Sequence, residues 1–147
     1  MAGINAARGW IDDVALAMQR TSDAQSALTR LAGDAMAADD VTLAVRSGSS
    51  WDDPFDAVRD LADGGNRGLW DAWTQSDAAE AILSRAVEHH HGGDGYLQLV
   101  CAREAAAQAS GDVGIWITNG GRSSIQALES VVRPQLELVR EMAQLAA

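Results

Sequence analysis

The chain has 147 residues, 47% of them apolar, and a formal net charge of −10. That length suits one domain, residues 1–147, able to bury its own core without disulfides or a structural metal. The acidity excludes sequence-independent nucleic-acid binding, which needs clustered basic side chains, and docking to an anionic membrane surface. No apolar run reaches the roughly 18 residues of a membrane span. Cys101 is the only cysteine, and Met1-Ala2-Gly3-Ile4-Asn5 lacks the charged-then-apolar layout of a signal peptide. Both features point to the cytoplasm.

Ile4, Trp10, Ile11, Val14 and Met18 recur at helical spacing, which predicts a first amphipathic helix ending near Arg20. Thr21 or Ser22 then caps a second, with Ala24, Leu28, Leu31, Ala35 and Met36 on its apolar face and Asp39-Asp40 at its end. From Val41 the period changes: Val41, Leu43 and Val45 alternate with smaller or polar residues, predicting a strand over 41–47. Asp53-Pro54 has the form of a helix start, yet Phe55, Ala57, Arg59 and Leu61 also alternate as in an edge strand. Both readings stay open. Leu69, Trp70 and Trp73 give a short helical turn, and Ser76 caps a helix that His89-His90-His91 ends against Gly92-Gly93. Two more alternating segments predict strands over 96–102 and 113–118. The chain closes on a helix from Ser123 or Ser124, with Ile125, Leu128, Val132, Leu136, Val139 and Met142 on one face and a kink expected at Pro134.

These elements predict an α+β domain: a small antiparallel sheet with flanking helices and long terminal helices. An all-α helical bundle is the alternative. Five Trp beside one Tyr and one Phe form an unusual aromatic set, and indoles suit pocket walls. Trp70, Trp73, Tyr96 and Trp116 are therefore the expected lining of a small-molecule site. The apolar stripes of the terminal helices predict a homodimer through Trp10, Val14, Val132 and Val139.

Glu88-His89-His90-His91 is the most tempting metal-binding cluster. Adjacent helical residues point about 100° apart, so three in a row do not converge on one ion, and no metal ligand is assigned. Cys101, within an alternating apolar segment, reads as a buried small hydrophobe. No Ser/His/Asp spacing is diagnostic, the glycine-rich stretches read as turns, and no catalytic residue is assigned.

Two stretches carry a family likeness. SDAQSALTRLAGDAMAADDVTLAVRSG, residues 22–48, and DVGIWITNGGRSSIQALESVVRPQLELVREM, residues 112–142, resemble the opening and closing parts of GAF-type sensor domains of bacterial transcription regulators. The resemblance implies that family's fold and a ligand-sensing or dimerising role without catalysis, and the expected function is ligand-responsive regulation through protein contacts. The cofactor is left unknown. Two other classes stand beside it. One is an acidic all-helical interaction protein (an inhibitor, chaperone or assembly factor) for a basic partner, and the other a His-dependent metal or haem protein.

Overall fold

The computed structural model describes residues 2–47, 51 and 53–147, and the side chains of 9–46, 51 and 53–147. Six helices follow one another: α1 (Ala2–Gly33), α2 (Ala35–Ser47), α3 (Pro54–Asp63), α4 (Arg67–His89), α5 (Tyr96–Thr118) and α6 (Ile125–Ala146). Among the described residues there is no strand, so the α+β expectation is overturned and the all-α alternative fits.

The reason lies in how the apolar residues are spaced. In α2 the buried positions are Ala38, Val41 and Val45, a three-and-four pattern that lies on one helical face. Leu43, whose alternation suggested a strand, is exposed. In α5 the buried series runs Leu99, Ala102, Ala106, Ala109, Val113, Ile117, while Leu97 and Ile115 face outward. Apolar residues on both sides of α5 imitate period-2 alternation over any short window, and its alanines supply the helix propensity that decides the matter. Thr21 and Ser76 do not cap helices. Each hydroxyl donates to the carbonyl four residues back, Ala17 at 2.7 Å and Ala72 at 2.8 Å, and the helices run through them. Asp39-Asp40 likewise lies inside α2. Over 54–61 the helical reading holds, because Asp53 accepts from the Phe55 amide at 2.9 Å and Pro54 occupies the first turn. Ser124 caps α6 as expected, accepting from the Ala127 amide at 3.1 Å.

α1, α4, α5 and α6 form an up-down-up-down bundle closed into a ring. Successive pairs are tied by Arg20–Gln75 at 3.0 Å, Ser110–Asp77 at 3.5 Å, Gln135–Asp112 at 2.8 Å and Arg140–Gln25 at 3.4 Å. A layer of Thr21, Ser76 and Ser110 crosses the bundle between two apolar clusters. The end bearing the α4–α5 turn holds Trp10, Val14, Leu83, Leu99 and many alanines. At the other end α2 and α3 lie across the bundle and add Val41, Val45, Val58 and Leu61 to Leu28, Leu69, Trp73, Val113, Trp116 and Leu136. Each large side chain so buried contributes about 1.5–3 kcal/mol. No helix among the described residues is long and apolar enough to cross a membrane.

Candidate functional site

The α5–α6 corner is built with little freedom. Asn119 ends α5, Gly120 and Gly121 take left-handed φ of 76° and 62°, and the Gly121 amide donates to the Trp116 carbonyl at 2.9 Å. A Cβ on Gly121 would lie 3.2 Å from the Trp116 ring, so both backbone and space require glycine there. The Trp116 indole in turn donates to the Ser123 carbonyl at 3.0 Å. These bonds hold open a groove of about 480 Å³, walled by Ile115, Trp116, Ala127, Leu128 and Val131 and rimmed by Asp112, Asn119, Arg122 and Ser123. Gln135 Nε2 fixes Asp112 at 2.8 Å. An apolar wall with a sparse polar rim binds apolar groups and orients them, and the volume falls in the range of roughly 300–1,000 Å³ seen for ligand sites.

The groove opens onto an apolar strip that sequence reasoning missed. Val131, Leu138 and Leu145 recur every seven residues on α6, and Leu97 and Ile115 share the outer face of α5. All are exposed, from 42% at Leu138 to 73% at Leu97. The signal was present: 131/138/145 is a second apolar phase, offset from the core phase of 125, 128, 132, 136 and 139.

Of the expected ligand residues, Trp70, Trp73 and Trp116 lie in or against one apolar cluster, and Tyr96 packs against the other. Trp70 and Trp73 lie on α4 with Phe55 edge-on to both, at 5.6 and 5.7 Å between centroids. Trp73 is buried, and its indole Nε1 lies next to Gly114 of α5. Trp116 is the one residue of the four that lines the groove, and Tyr96 sits at the opposite end beside His91. The expected interface is corrected more sharply. Trp10, Val14, Val132 and Val139 are buried within the single chain, so these stripes are covered by neighbouring helices and are not available to a second copy. Cys101 is exposed, not buried. It lies on the outer face of α5, opposite to where its alternation placed it.

The three histidines take separate partners. His89 Nδ1 donates to the Arg85 carbonyl at 2.8 Å, His90 stacks on Trp10 at 3.9 Å with Nε2 on the Asp94 carbonyl, and His91 leans on Tyr96. Among the described residues no group of three His, Cys, Asp or Glu side chains is placed to hold a metal ion. Burial, with Asp77 and then Glu104 nearby, raises the Glu80 carboxyl above the ordinary range, and Arg103 opposes this. A second cavity of about 320 Å³, at the start of α4, sets Arg30 and Arg67 against Asp34 and Asp40. Comparison with known families, with curated proteins and with solved structures returns no match for this chain, and its functional reading rests on this geometry.

Proposed function

We propose that this chain is a non-catalytic regulatory binding module that acts through protein contacts, with the α5–α6 groove as its working surface. The observation that carries this is the groove itself: Trp116 and four aliphatic side chains walling about 480 Å³, held by backbone hydrogen bonds at a fixed corner. Exposed apolar surface that continues beyond such a groove marks an interaction site. The reading keeps the regulatory role implied by the sensor-domain resemblance and seats it on helices. It also joins that role to the acidic helical interaction protein, and it takes the cytoplasm as the place of action.

The test is a ¹H–¹⁵N spectrum titrated with neutral apolar fragments such as benzyl alcohol and cyclohexanol. The Trp116 indole and Ala127 amide signals should shift saturably, and a folded Val131→Arg variant should lose the response. Shifts centred on Trp70 or Tyr96 instead would refute the assignment of the groove.

A further inference from the structure

We infer that the outer face of α5 and α6 docks an amphipathic helix of basic character from a partner protein, an assignment that rests on the binding role proposed above. The face has the dimensions of a helix. Val131 to Leu145 spans about 21 Å at 1.5 Å rise per residue, close to four turns, and Leu97 to Ile115 runs antiparallel beside it. Ala127, a small residue on α6 beside Val131, leaves room at the groove end of this face for a knob from a third helix. The face ends in the Trp116 groove, which offers a pocket for one larger anchor side chain.

Charge selects the occupant. Going outward round α6 from the apolar strip, the next acidic side chains are Glu141 and then Glu137, both exposed, and among the described residues neither is ion-paired. On the far side Glu104 borders the strip on α5 and pairs with Arg103 at 3.1 Å. Asp112 lies at the groove, and Arg122 is the single basic side chain that lines it. An apolar strip edged by carboxylates on both sides complements a helix with apolar residues at positions i, i+3, i+4 and i+7 and Lys or Arg on its flanks. A second copy of this chain, at −10, repels the same surface.

Three labelled synthetic peptides of one length test this by fluorescence anisotropy at physiological salt. One is a Leu-faced helix with Lys and Arg flanks, one a scramble of the same composition, and one the Leu-faced helix with Glu flanks. The basic amphipathic peptide should bind at least tenfold tighter than its scramble. Leu138→Asp, at an exposed position, should weaken it at least tenfold with unfolding unchanged. Glu137→Lys with Glu141→Lys should weaken it severalfold and improve binding of the Glu-flanked peptide. Equal binding of the scramble overturns the docking, since charge alone then explains it. A light-scattering mass of two chains that Leu138→Asp returns to one also overturns it, in favour of a second copy. If no peptide binds while fragments still shift Trp116, the partner falls and the binding role stands; if Trp116 is silent as well, both fall.

Discussion

The two ends of the bundle solve the same packing problem differently. On the His-loop side of the Thr21–Ser76–Ser110 layer, the buried cluster leans on Ala17, Ala79, Ala86, Ala102, Ala105, Ala106 and Ala143. Small side chains let helix axes approach, so four helices close this end without a lid. On the other side Leu28, Leu69, Trp73, Val113, Trp116 and Leu136 fill the space between the long helices, and α2 and α3 lie across it. The alanine end is held by proximity, the lidded end by volume. The groove belongs to the lidded end, where Trp116 packs against the Gly121 corner between α5 and α6.

The largest effect should come from breaking the alanine end with a charge. Val139→Arg sets a guanidinium at a fully buried site among alanines, with no space and no counter-ion, and should cost about 4 kcal/mol or more. Leu138→Arg, one residue earlier on the exposed strip, should leave the urea midpoint almost unmoved. Two adjacent α6 positions that respond alike would show that the helix is not seated as described.

Volume changes of opposite sign sharpen the contrast. Leu69→Ala opens a cavity at the lidded end and should cost about 2–5 kcal/mol. Ala106→Leu forces the alanine end apart and should cost about 1–3 kcal/mol. Urea unfolding of both variants ranks them. If Ala106→Leu is neutral, close helix approach is not what holds that end.

Each end was legible in part. The closing helix and its Ser124 cap were legible because α6 has one dominant apolar face and a capping side chain just before it. The helix at Pro54 was visible in the Asp-Pro pair, though alternation at 55–61 kept a strand in play. At the end of α5 the reading failed on residues that were apolar in both phases. Val113-Gly114-Ile115-Trp116-Ile117 carries no polar residue to mark an outward face, so period 2 and period 3.6 fit it equally well. Helix boundaries were misplaced at Thr21 and Ser76 because a hydroxyl that bonds its own helix four residues back resembles a cap in sequence. Of the site, Trp116 alone was foreseen. The strip at 131, 138 and 145 went unread because an exposed apolar phase is recognisable only once the buried one is known.

A pair of glycine substitutions carries the contrast to the groove. Gly111 is exposed on α5 with open space where a Cβ would stand, so Gly111→Ala should stabilise the helix by about 0.5–1 kcal/mol. Gly121→Ala meets both the left-handed backbone and the Trp116 ring, and should destabilise by about 1–2 kcal/mol. It should also shift the Trp116 indole signal, which Gly111→Ala should leave in place.

The smallest expected effect lies at the junction between the two ends, where Glu80 stands beside the layer that separates them. Its carboxyl is raised by burial first, then by the charge of Asp77, with Glu104 adding and Arg103 subtracting. A carboxyl that holds its proton more tightly folded than unfolded binds more protons in the native state, so stability falls as pH rises through that interval. Above that interval Glu80 is ionised in both states, and the native state bears the cost of its partial desolvation and of the nearby carboxylates. Glu80→Gln removes that cost and should stabilise the fold at pH 7. The gain should shrink as pH drops below the ordinary carboxylate range, where Glu80 is protonated folded and unfolded alike. Because the side chain is only partly buried, the gain is small, and solvent screening limits it further. Urea midpoints of wild type and variant from pH 3.5 to 7.5 measure it. A difference that grows toward acid pH would mean that Arg103 dominates the site and that the sign assigned to Glu80 is reversed.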